Sequence, residues 1–215
     1  NGKRSLVTQT KVFKTSEINS IYPKHLQTDR YEIYIYPSEA ILGSQQDGIY
    51  GLLDELNAYY WGTKTDFDLY NFYQLKANNT EGWVDFYQGF YGTCFAYLEF
   101  KSYMLTYMLY AKQKYPEIYT QILANTNFLE SFGMVDSNWM KLILQFNSLK
   151  QNFVNAQKIA GTEVYDSEEF MFIGGSGLGT FRDIYAKFNA ELSAEKYETM
   201  AKAMGLKTAA GLELK

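Results

Sequence analysis

The sequence predicts a mainly α protein: a single compact multi-helix domain with roughly two or three short β-strands, near the N-terminus and around residues 163–173. Three observations carry this. Apolar residues recur at three-and-four spacing along most of the chain, and period-two alternation is confined to short runs. Hydrophobic residues make up 47% of the 215 against 20% charged, enough apolar surface for one well-packed core.

The strands come first. "LVTQTKVF" and "RYEIYIYP" alternate in the strand manner, with Tyr31, Ile33 and Ile35 on one face and Pro37 as terminator. Between them "TSEINSIYPKHLQTD" reads as loop or short helix. These elements make residues 1–40 a strand and loop region packed on a helical body spanning 41–207.

Within that body, Ile49, Leu52, Leu53, Leu56 and Tyr60 form a buried stripe that Asp47 can cap and Gly62 can stop. "TDFDLYNFYQL" follows as a second, shorter helix. From Glu81 to Lys114 apolar residues run nearly all round, which marks a helix buried on most sides; Gly89 and Gly92 allow a close crossing there or a break. Pro116 opens the next helix at its first turn. Asp136 or Ser137 can cap a helix whose stripe is Trp139, Leu142, Ile143, Phe146, Leu149 and Phe153, ended by Gly161. "EEFMFIGGSGLGTFRDIY" reads as strand, glycine turn and helix, with Thr180 as cap. A last helix carries Tyr197, Met200, Ala201 and Met204 between Ser193 and Gly205, and residues 208–215 read as a loose tail.

Strand, glycine turn and helix is also the order of a nucleotide-binding loop. Gly174 and Gly179 have the Walker A separation, but Thr180 stands where the lysine belongs and Phe181 where the magnesium-binding hydroxyl belongs. Gly175 and Gly177 begin a dinucleotide fingerprint whose third glycine is Thr180, and no further strand follows. The glycines therefore turn a corner, and no cofactor is expected.

Composition excludes further chemistry. A net charge of −4 without a basic cluster argues against nucleic acid as a partner. One cysteine, Cys94 in "GFYGTCFAYLEF", cannot form an internal disulfide or a thiolate-rich zinc site, and its neighbours mark it as a buried small hydrophobe. The one histidine, His25, lies in a turn-like context after Pro23, so no metal site is expected. No stretch approaches the roughly 20 apolar residues of a transmembrane segment. Few cysteines with many Tyr, Asn and Thr fit an exported or envelope-associated bacterial protein, secreted after loss of a leader. Asn78–Thr80 has the acceptor spacing for N-glycosylation and reads as a polar loop.

Catalysis would then rest on carboxylates. Glu99 is the first candidate acid, because "FAYLEFKSY" sets it in an almost wholly apolar helix, where burial raises a carboxyl pKa. Glu55 in "LLDELNAYY" is the second. The third is Glu130. The pair Glu130-Ser131, followed by "GSGLGTF", loosely resembles the soluble lytic transglycosylases and goose-type lysozymes, where a catalytic glutamate in a Glu-Ser pair precedes a "GLMQ"-like segment. The resemblance covers a handful of residues. It departs in a longer intervening gap and at Gly179-Thr180, where the family has Met-Gln; it implies Glu130 as acid.

The 20 Tyr and 15 Phe need a wide amphipathic boundary, since each tyrosine pairs an apolar ring with a hydroxyl that wants a partner. Tyr59, Tyr60, Trp61, Trp83 and Tyr87 are the candidates for a groove that holds a sugar ring or an extended peptide. Two functions follow as expectations. One is a non-catalytic soluble domain that binds a protein, peptide or glycan through aromatic surface. The alternative is a carboxylate-dependent hydrolase of glycan or peptide, which needs two acids, or an acid and a tyrosine, facing each other across an open cleft.

Overall fold

A computed structural model describes residues 6–37, 43–76 and 82–215. Among them lie ten α-helices: α1 (Asp29–Tyr34), α2 (Gly43–Asp47), α3 (Ile49–Asp68), α4 (Tyr70–Lys76), α5 (Gly82–Cys94), α6 (Ala96–Lys114), α7 (Pro116–Ala124), α8 (Thr126–Ile159), α9 (Arg182–Leu192) and α10 (Glu195–Ala203). Two 3₁₀ segments, Thr15–Ser20 and Lys24–Leu26, precede them. Strands β1 (Val164–Asp166), β2 (Phe170–Ile173) and β3 (Ser176–Gly179) form one antiparallel sheet in chain order. The mainly α, single-domain expectation holds. Asn78–Thr80 lies outside the described residues.

The sheet sits toward the C-terminal end of the chain, and the N-terminal strands do not form. Residues 6–14 form neither helix nor strand, and side chains take the place of a ladder. The Tyr107 hydroxyl accepts from Phe13 N at 2.8 Å and donates to Phe13 O at 2.9 Å. The Asn125 and Asn127 amides donate to Thr8 O and Leu6 O. Phe13 also stacks on the Tyr107 ring, centroids 3.8 Å apart. The second run is helix α1 instead: Tyr31 and Ile35, four apart, are buried while Ile33 is 47% exposed. Its alternation left both periods open, and packing selected the helical one.

Helix α6 is the axis of the core. Every residue from Ala96 to Met108 is buried, and α3, α7, α9 and α10 pack around it. The nearly continuous apolar run predicted this, but the break from α5 falls at Phe95, not at Gly89 or Gly92. Helix α3 continues through Gly62 to Asp68, and its N-cap is Gly48 (φ 55°), not Asp47. A side chain at Gly48 would meet the Tyr107 hydroxyl, so the chain needs glycine there.

Helix α8 is longer than its stripe suggested. It starts at Asn125, whose Oδ1 accepts from Phe128 N at 3.2 Å, and it absorbs Gly133 and Asp136 into one 34-residue rod. Phe146, on the predicted stripe, stacks face to face on Phe90 of α5 with centroids 3.7 Å apart.

The glycine corner is a β-hairpin. Ile173 pairs with Ser176, leaving Gly174 and Gly175 as a two-residue loop, both at positive φ (57° and 95°) as a type I′ turn requires. Thr180 does not cap α9: its hydroxyl donates to Glu168 O at 2.5 Å, and Phe181 takes the N-cap position. The tail is anchored. Ala209 and Leu214 are buried, Tyr91 donates to Lys215 O, and Asn147 both donates to Glu213 O and accepts from Lys215 N. Among the described residues no helix is long and apolar enough to cross a membrane.

Candidate functional site

A cleft of about 620 Å³ opens where four pieces of chain converge: residues 25–30, α3, the α5–α6 junction and the start of α9. Each piece is held there for a local reason. Pro23 is the N-cap of the 3₁₀ turn Lys24–Leu26, which buries Leu26 and leaves His25 outward. The break at Phe95 turns that ring out of the α5–α6 rod. Phe181, following the sheet, begins α9 with its side chain 39% exposed.

Arg30 forms the polar floor. Its Nη1 lies 2.7 Å from Glu99 Oε2 and its Nη2 donates to Gly92 O at 3.0 Å. The guanidinium is sandwiched between aromatic rings, 4.8 Å from the Tyr59 centroid and 4.5 Å from that of Phe95. Thr28 donates its hydroxyl to the other Glu99 oxygen. Burial pushes the Glu99 carboxyl up from its ordinary value, while Arg30 and Thr28 work against the shift. A buried charge of this kind is tolerable only because it is paired and hydrogen-bonded.

The walls are apolar. Leu26 and Phe188 are buried, Ile184 is half-buried, and Phe181 lies 5.7 Å from Phe95. Phe181 is the only non-glycine residue at positive φ among the described residues (φ 51°, ψ 17°), a conformation that costs an aromatic residue about 1–2 kcal/mol. Two cationic side chains, Arg30 and Lys187, line the cleft together with His25, against one acid, Asp29. His25 and Lys187 are 61% and 60% exposed, in contact with Glu191 and Asp183 respectively.

The fold separates the sequence candidates. Glu99 reaches the cleft floor, but it is wholly buried with both oxygens engaged. Glu55 is half-buried on α3 and accepts from the Tyr34 hydroxyl at 3.2 Å. Glu130 is exposed on α8. It lies 20 positions before Lys150, the α8 residue that meets β1, so about 30 Å of helix parts Glu130 from the hairpin. The two halves of the transglycosylase-like pattern therefore do not form one site.

Of the aromatic candidates, Tyr59 lines the cleft. Trp61 is 56% exposed but belongs elsewhere on α3, edge-on to Tyr60. Tyr60, Trp83 and Tyr87 are buried: Tyr60 packs on Trp139, and Trp83 and Tyr87 pack on Phe153. Cys94 is buried, and burial pushes its thiol far up, as expected of a small core hydrophobe. Among the described residues no group of three His, Cys, Asp or Glu could hold a metal ion.

Sequence reasoning missed Arg30, Thr28, Phe95 and Phe181. Arginine is scarce here, at three residues, and one so placed in an aromatic-rich chain was the available signal. No family model matches the chain, and no curated protein or solved structure shows a similarity to it.

Proposed function

We propose that the protein is a non-catalytic binding module that takes a protein or peptide partner by an apolar side chain in the cleft between residues 25–30 and α9. The observation that carries this reading is Phe181: an aromatic ring held half-open at a ligand-sized cleft in a backbone conformation that disfavours it. Packing on Phe95 offsets the strain without exceeding it, so the open face of the ring is left for a ligand.

Peptide fits better than glycan. Sugar stacking needs a free aromatic face, yet Tyr59 and Phe95 lie against Arg30, and Phe95 also packs on Phe181. What the cleft offers instead is an apolar hole with an exposed cationic rim, suited to an apolar residue flanked by an acidic one. The i,i+4 pairing of Lys187 with Asp183 is at the surface and weak, so it yields readily to a partner's carboxylate. Engagement of both Glu99 oxygens weighs against the hydrolase alternative, since a general acid needs a face open to the substrate. An exported or envelope-associated setting remains part of the proposal on composition.

The test is selection of a phage-displayed random peptide library on the purified protein. The enriched peptides should carry an aromatic or branched apolar residue beside Asp or Glu. Their affinity should fall at least about tenfold with Phe181→Ala and fall further with rising salt. Peptides that bind wild type and Phe181→Ala equally would refute the assignment.

A further inference from the structure

Between α6 and α8, away from the cleft, lies a buried triad of amine, carboxyl group and phenol. Lys101 Nζ is 2.6 Å from Asp136 Oδ1. The Tyr97 hydroxyl bridges both groups: it donates to the same Asp136 oxygen at 2.7 Å and accepts from Lys101 Nζ at 3.2 Å. Lys101 and Tyr97 are wholly buried and Asp136 is 3% exposed. The Tyr97 ring stacks on buried Trp139, with centroids 5.6 Å apart. An amine, a carboxyl group and a hydroxyl in contact with each of them are thus held together almost wholly out of solvent.

We propose that Lys101 and Asp136 condense to an amide between their side chains, joining α6 to α8 covalently. In the first step Lys101 Nζ passes one proton to Asp136 Oδ1, 2.6 Å away, which leaves an amine beside a carboxylic acid. Burial lowers the Lys101 ammonium in the same direction, with Asp136 opposing. The Nζ lone pair attacks Asp136 Cγ and the C–N bond forms. Nζ releases one proton to the Tyr97 oxygen, and Tyr97 passes its own hydroxyl proton to Oδ1. Oδ1 then leaves as water, carrying that proton and the acid proton, as its bond to Cγ breaks. One amine and one acid give one amide and one water, and no other reactant is required.

Fixed proximity converts the encounter into a unimolecular step, and the dry surroundings keep water from reversing it. With a single cysteine the chain can form no internal disulfide, so this amide is its available covalent tie between helices.

Intact-mass spectrometry of the purified, denatured protein decides the matter. The expected mass is lower than that of the sequence by one water. Trypsin should then give a branched peptide that joins the Lys101 segment to the Asp136 segment. A mass equal to that of the sequence, with Lys101 open to amine acylation after denaturation, would overturn the proposal. Tyr97→Phe keeps the ring and removes the relay, so it should fold with an unchanged helical circular dichroism and show the uncondensed mass. A folded Tyr97→Phe protein that still lacks one water would overturn the relay assigned to Tyr97.

Discussion

Phe181 and Arg30 concentrate what is unusual about this molecule. Phe181→Gly removes the left-handed strain, a gain of about 1–2 kcal/mol. It also removes the packing on Phe95, a loss of about 0.5–1.5 kcal/mol. Thermal unfolding should therefore move little, while peptide binding falls. A large drop in melting temperature would make Phe181 a structural residue. Arg30→Ala acts differently. It leaves the Glu99 carboxylate buried and unpaired, and should cost about 3 kcal/mol in denaturant unfolding.

The Glu99 shift also has a pH signature. The folded chain holds the Glu99 proton to higher pH than the unfolded chain does, so in that interval the native state binds more protons. Stability from this group is therefore largest below its ordinary value of 4.5 and declines as pH rises through the raised folded value. Glu99→Gln should remove that decline. A pH profile identical to wild type would show that the carboxyl is not shifted.

The hairpin β1–β3 depends on one acid. Asp166 of β1 accepts from Lys150 of α8 at 2.7 and 2.9 Å and from Arg182 of α9 at 2.5 Å. Burial alone would raise its carboxyl, but these two cations hold it below the ordinary value of 3.8. For an acid with a depressed pKa the contribution is present above 3.8 and lost as pH falls through the folded value. Asp166→Asn should cost about 2 kcal/mol near neutrality and flatten the acid limb of the stability curve. It should also expose the turn at Ser167–Glu169 to proteolysis. An unchanged cleavage pattern would mean that apolar packing alone holds the hairpin.

These elements also show what could be read beforehand. The stripes of α3, α8 and α10 were legible because burial on one face writes a period into the sequence. The glycine pair announced a reversal, and Gly174 and Gly175 form the two-residue turn between β2 and β3. Boundaries were less legible. Gly62 and Gly133 sit inside helices because tertiary packing outweighs a propensity deficit of about 1 kcal/mol. The first N-terminal strand did not form because Tyr107, Asn125 and Asn127, more than 90 positions later, supply hydrogen bonds that a ladder would have supplied.

Among the described residues, aromatic side chains do much of the filling, and the cleft lies where that filling is incomplete. Trp83 and Tyr87 were reasonable groove candidates by residue type, yet they pack inward, as aromatics at helical spacing commonly do. Of the sequence candidates, only Tyr59 lines the cleft and only Glu99 reaches its floor. The others at the cleft lie 65 to 151 positions apart, and their meeting is a property of the fold: Arg30, Phe95 and Phe181 carry no shared local signal. A frame held by so many stacked rings should present a preformed cleft that changes little when filled.

The most direct measurement is a ¹⁵N–¹H NMR titration of the protein with a peptide selected as above. The amide shifts should be confined to residues 25–30, Gly92, Phe95 and 181–188, with the α8 core unmoved. Shifts centred on Trp61, or spread along α8, would contradict the assignment of this cleft as the binding site.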